Sequence, residues 1–98
     1  MNIKTEKRLF EEKFAVQLQK WDRQIAEIKS QTKLVSPLNL LEFERQVDLL
    51  DAKFDLAREK LSKLTMIDDG AWDELKASID GISNEIENAI DSAMAKIE

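Results

Sequence analysis

The chain has 98 residues, enough for one domain, and its composition is 43% hydrophobic and 36% charged, with 2 Gly and 1 Pro. Few breakers and many charges suit helices with solvated outer faces. Cysteine and histidine are both absent, which removes disulfides, thiol nucleophiles, zinc sites built from those ligands and imidazole acid/base chemistry, and a net charge of −5 disfavours general attraction to phosphate backbones and anionic lipid.

The opening residues Asn2-Ile3-Lys4-Thr5-Glu6-Lys7-Arg8 are charged, and Leu9-Phe10-Glu11-Glu12 follows instead of the apolar centre of a signal peptide. Nowhere does the chain approach the ~18 consecutive apolar residues of a membrane span. The expected location is the cytoplasm.

In the first segment, Phe14, Leu18, Trp21, Ile25 and Ile28 step by four, three, four and three, with Phe10 extending the face by one turn. That is a coiled-coil seam, and it predicts a helix over about 3–34. Ser36-Pro37 marks the first reversal, because the residue before proline avoids helical dihedrals and proline cannot donate to a preceding turn. The same pair predicts the start of the next helix at about 38, with Ser36 capping.

The second segment, about 38–64, is the most regular. Leu40, Phe43, Val47, Leu50, Phe54, Ala57, Leu61 and Leu64 hold the three-four step throughout. Leu49 and Leu56 lie seven apart and off this seam, with Ala52 between them. This strip either widens the core contact of a middle helix or forms an exposed docking surface.

Asp68-Asp69-Gly70 then signals a turn in which an aspartate can cap the following helix. The third segment, about 70–97, runs Trp72, Leu75, Ile79, Ile82, Ile86, Ile90, Ala93 and Ile97, drifting from a seven- to an eleven-residue repeat. Gly81 inside it costs on the order of 1 kcal/mol relative to alanine, and a close helix approach near Ala77, Ser78 and Gly81 would offset that cost. A rival geometry also exists: Leu61, Leu64, Ile67, Ala71, Leu75 and Ile79 nearly continue one stripe across the turn. An unbroken helix over 38–97 would be a rod of about 90 Å needing a second chain to cover it.

Charge is unevenly spread along the chain. Up to Leu34 there are eight basic residues against five acids; residues 38–64 carry five against six; from residue 65 onward Lys76 and Lys96 face nine acids. In an up-down-up bundle a basic first helix beside an acidic third would favour that pairing. The acids interleaved in the first segment argue against a nucleic-acid arm.

Asp68, Asp69, Asp73 and Glu74 are the nearest thing to a metal site, but they lack the spacing of a helix-loop-helix calcium loop and suit a helix start equally. Asp51, Asp55 and Glu59 share one side of the second helix, as an acid/base pair or, more simply, as a solvated face. No phosphate-binding glycine loop can be built from Gly70 and Gly81. Trp21 and Trp72 lie on apolar stripes as core anchors; Trp72, at the start of its helix, could instead be half exposed toward a partner.

The pattern Leu18-x-x-Trp21-x-x-x-Ile25-x-x-Ile28-Lys29, then Phe43-x-x-x-Val47-x-x-Leu50, Lys60-Leu61-x-x-Leu64 and Ala71-Trp72-x-x-Leu75-Lys76, resembles a family of short bacterial coiled-coil proteins sometimes labelled as stress-related. The resemblance spans residues 14 to about 82 and implies a bacterial cytoplasmic protein; the chain departs from the pattern at Ile82, at Ile86 and in its Pro37 loop.

The sequence therefore predicts a single all-α domain, an antiparallel up-down-up three-helix bundle with coiled-coil-like packing, with the long continuous second helix of a dimeric hairpin as the alternative. The expected function is a non-enzymatic helical protein-protein interaction, with itself or with another helical protein, through Leu49, Ala52 and Leu56. No cofactor, metal or small-molecule substrate is expected, and neither nucleic acid nor stable membrane binding. The other reading is a peripheral coat for apolar granule or membrane surfaces.

Overall fold

A computed structural model describes residues 2–97. The described residues form three α-helices, α1 over Ile3–Ser30, α2 over Leu40–Leu64 and α3 over Trp72–Met94, with short 3-10 turns at Thr32–Leu34 and Asp69–Ala71. The end pairings fix their directions. Phe10, early in α1, meets Trp72 at the start of α3, while Val35, just past α1, forms a backbone bridge to Ile97, just past α3. Helices α1 and α3 therefore run parallel. Between α2 and α3 the ties run oppositely: Lys53 reaches Glu85, and Lys60 reaches Ser78. The result is the expected up-down-up three-helix bundle.

The seams close on one another as their periodicity requires. All five seam residues of α1, Phe14, Leu18, Trp21, Ile25 and Ile28, are buried, as are Phe43, Leu50, Phe54, Ala57 and Leu64 of α2 and Trp72 through Ala93 of the α3 stripe. Both tryptophans belong to this core, so the half-exposed reading of Trp72 does not hold. Its ring packs edge-on to Phe10 at 5.3 Å and 86°, and Trp21 does the same to Phe14 at 6.2 Å and 80°. No buried residue among those described is polar. The molecule is a rod of 52 × 18 × 17 Å with a radius of gyration of 15.8 Å, against about 13 Å expected for a compact domain of this length.

The connections correct the expected boundaries. Helix α1 stops at Ser30 and not at Leu34. There the Ser30 and Thr32 hydroxyls donate to the carbonyls of Glu27 and Lys29, competing with the helical ladder and tightening the chain into a 3-10 turn. Val35 is then extended and buried, so the crossover uses residues that the apolar pattern had assigned to helices. Ser36 does not cap α2: its carbonyl accepts from the amide of Asn39 across a turn containing Pro37, and α2 begins at Leu40 with the Phe43 amide bonded to the Asn39 carbonyl. Helix α3 likewise covers Trp72–Met94, shorter than 70–97 at both ends.

The continuous rod over 38–97 is ruled out. Thr65 Oγ1 donates to the Ser62 carbonyl at 2.9 Å, Asp68 is extended, and its Oδ1 accepts from the Ala71 amide at 3.2 Å; the aspartate thus caps the 3-10 turn Asp69–Ala71 that leads into α3, while the N-cap of α3 itself, Ala71, makes no side-chain bond. Ile67 packs back against the core, and its carbonyl accepts from Lys7 Nζ of α1. Folding α3 onto α2 buries the stripe within one chain, which a rod could achieve only with a second molecule.

Two further expectations change. Within 4 Å of a Cβ built at Gly81 there is nothing, so no close helix approach within the chain accounts for that glycine. Among the described residues the ion pairs are Lys29 with Asp51, Arg45 with Glu42 and Lys53 with Glu85; none joins α1 to α3. Their basic and acidic character is thus not expressed as a direct salt bridge between those helices.

Candidate partner-docking surface

Helix α2 carries two faces. Its inward seam is filled by Phe43, Leu50, Phe54, Ala57 and Leu64, whereas Leu49 is 46% and Leu56 42% exposed, and Ala52 is exposed between them. At 100° per residue the three fall on one side of the helix, turned away from the core. They do not widen the core contact. Leu49 lines a shallow groove of about 250 Å³ between α2 and α3, with Gln46, Lys53, Glu85, Asn88, Ala89 and Ser92. Two of its lining residues form an ion pair between the helices, Lys53 Nζ lying 3.1 Å from Glu85 Oε1. On the α3 side the groove is lined by Glu85, Asn88, the buried Ala89 and Ser92.

A second apolar area lies at one end of the rod. Leu34 and Met94 are half exposed, Leu41 more so, and Leu38 is 96% exposed; all four belong to the end where the Val35–Ile97 bridge ties the crossover to the end of α3. Stripe reasoning missed these residues, since Leu34, Leu38 and Leu41 sit in or beside the Pro37 turn and Met94 is the last residue of α3. The signal available was four leucines within eight positions around a proline. Val16 on α1 and Met66 in the second turn are also strongly exposed.

The candidate chemical groups disperse. Asp51 pairs with Lys29 at 2.9 Å, while Asp55 and Glu59 line an open groove of about 720 Å³ between α1 and α2 together with Asp22 and Arg58; the guanidinium of Arg58 lies over the Phe54 ring at 5.9 Å. This is a solvated face with both signs of charge. Asp68 is engaged as a cap, and among the described residues no group of three or more acidic side chains converges to hold an ion. No helix among the described residues is long and apolar enough to cross a membrane.

Fold and surface together define a class: an all-α three-helix bundle whose middle helix presents an unburied apolar strip. No family model, curated protein or solved structure matches the chain, so the resemblance to short bacterial coiled-coil proteins stands on its helical motifs alone.

Proposed function

We propose that this protein is a non-enzymatic helical interaction protein, which docks on itself or on another helical protein through Leu49, Ala52 and Leu56 of α2. The observation carrying this reading is the contrast between adjacent residues: Leu50 is fully buried while Leu49 keeps nearly half its surface in water, and the same holds for Ala57 beside Leu56. The core is complete without the strip. Two leucines seven residues apart on a helix face are the anchors that a partner helix fits. On the resemblance described above, the setting is a bacterial cytoplasm and the process a stress response.

The test is light scattering with size-exclusion chromatography on the wild type and on Leu49→Lys combined with Leu56→Lys, with helicity followed by circular dichroism. Loss of association with unchanged helicity supports docking. Unfolding of the double variant would mean that the two leucines are core and would sink the reading.

A second reading, a peripheral coat for apolar granule or membrane surfaces, draws on the exposed end formed by Leu34, Leu38, Leu41 and Met94. Flotation with neutral vesicles checks it: protein that stays at the bottom of the gradient, and does so equally with Leu38→Ser, removes it.

A further inference from the structure

The apolar strip of α2 runs between two unlike flanks. Each of its leucines is preceded directly by an aspartate, Asp48-Leu49 and Asp55-Leu56, and followed four positions later by a lysine, Lys53 and Lys60. At about 100° per residue the aspartates fall on one side of the strip and the lysines on the other. Asp55 lines the groove shared with α1, and Lys53 reaches Glu85 of α3, so the acidic flank is turned toward α1 and the basic flank toward α3.

The basic flank is already engaged within the chain. Lys53 Nζ lies 3.1 Å from Glu85 Oε1, Lys60 Nζ donates to Ser78 Oγ, and both lysines are partly buried. The acidic flank is not. Asp48, Asp55 and Glu59 are exposed, and among the described residues none of them takes part in an ion pair. Asp22 of α1 adds to them across the groove that it lines with Asp55 and Glu59. The other charges on this side of α2 do not cancel the excess: Asp51 is held by Lys29 and Arg45 by Glu42, the Arg58 guanidinium lies over Phe54, Lys63 stands four positions beyond Glu59, and Glu44 is a further acid four positions before Asp48.

Such a surface rejects a second copy of itself in either direction. An antiparallel copy centred on Ala52 brings Asp48 level with Asp55 on the same flank, twice, beside the very leucines it would bury. A parallel copy in register stacks Arg45 on Arg45 and Glu59 on Glu59, each seven positions from Ala52 on the side that carries the strip, and the lysines it would offer to the aspartates are those held by Glu85 and Ser78. Like charges in both registers select against self-pairing. We infer that the strip takes a helix of a different protein, one whose apolar stripe seats on Leu49, Ala52 and Leu56 and whose lysine or arginine side chains run along the edge laid against Asp48, Asp55 and Glu59. Long basic side chains suit that edge, because their stems cover apolar surface while their heads reach the carboxylates.

This assignment rests on the docking reading of the α2 strip and chooses between its two occupants. The probe is a synthetic helix of about three heptads, with leucine along its stripe and lysine on both edges, set against the same sequence with glutamate for every lysine. Binding to the full chain is followed by fluorescence anisotropy at physiological salt, its place on the molecule by amide shifts in nuclear magnetic resonance, and folding of each variant by circular dichroism. The lysine probe is expected to bind at least about tenfold tighter than the glutamate probe and to shift the amides of α2 around Leu49 and Leu56. Asp48→Lys with Asp55→Lys should weaken the lysine probe about tenfold or more, whereas the same change in net charge on the exposed Asp80 and Glu87 of α3, Asp80→Lys with Glu87→Lys, should change it less than about threefold. Should the first pair fail to fold, Asp48→Asn with Asp55→Asn takes its place, with a loss still larger than that of the α3 pair. Equal losses from the α2 and α3 pairs, no preference between the probes, or no binding of either overturns the basic helix as occupant. Self-association of the wild type that is lost in Leu49→Lys with Leu56→Lys also overturns it but leaves docking through the strip standing; lysine-probe binding that is indifferent to those two leucine changes overturns both.

Discussion

Phe10 and Trp72 meet edge to face at 5.3 Å, 86° apart, and in doing so join the first and third helices at one end of the rod. Sixty-two positions separate them in sequence, and Lys76 Nζ lies 5.9 Å from the centre of the same Phe10 ring. Truncating Trp72 to alanine leaves a void that the parallel helices cannot close without losing this contact. The expected cost is about 3–5 kcal/mol, read from the midpoint of urea unfolding. A double-mutant cycle with Phe10→Ala should return a coupling of about 0.5–1.5 kcal/mol beyond burial; strict additivity would mean the pair is mere proximity.

Leu49 and Leu50 are neighbours of identical chemistry, about 100° apart around α2, one half exposed and the other fully buried. Leu50→Ala should destabilise the fold by about 2–5 kcal/mol, since a fully buried leucine leaves a cavity, whereas Leu49→Ala should stay within about 0.5 kcal/mol of wild type in the dilute monomer. Comparable losses in denaturant titrations at low concentration would show the assignment of faces to be wrong.

Gly81 occupies the middle of α3 with open space where a side chain would go. Because helical backbone is held there without any steric need for glycine, Gly81→Ala should stabilise the fold by about 0.5–1 kcal/mol, through helix propensity and a less flexible unfolded chain. Calorimetry on the two proteins settles the sign. A drop in melting temperature would mean that something packs on this position.

Asp68 ends the second connection by accepting the Ala71 amide. Asp68→Ala should cost about 1 kcal/mol, and Asp68→Asn, which keeps an acceptor, only a fraction of that. Chemical denaturation of the two variants in parallel separates the cap from a general charge effect: equal losses would assign the role to charge.

The α2 seam from Leu40 to Leu64 was legible because each of its apolar residues obeys one local rule, the repeat that puts every third or fourth side chain on the same side of a helix. Residues 31–39 were not legible in the same way. Leu34 and Val35 look alike as apolar residues near a proline, yet Val35 is buried in a bridge to Ile97 and Leu34 is half exposed. That difference depends on a contact with a segment over sixty residues away. The buried Ala89 was missed for a related reason: it lies beside the α3 stripe and enters the core because α2 packs against that flank. For the candidate surface, the sequence singled out Leu49, Ala52 and Leu56 as off the seam, but whether the strip faced a neighbour or water required knowing where α1 and α3 sit around α2.

Periodicity, composition and the proline and aspartate turns determined by themselves that this chain forms three amphipathic helices and which stripe of each seeks burial, because helical repeat and backbone capping act within a few residues. Only the tertiary structure decided that α3 folds back after Asp68 instead of extending the second helix, and that the Leu49 strip and the Leu38 end remain in water. Those outcomes depend on how three finite stripes divide the available neighbours: once each seam is covered, the core has no room for the second face of α2, and what is left over can be covered only from outside.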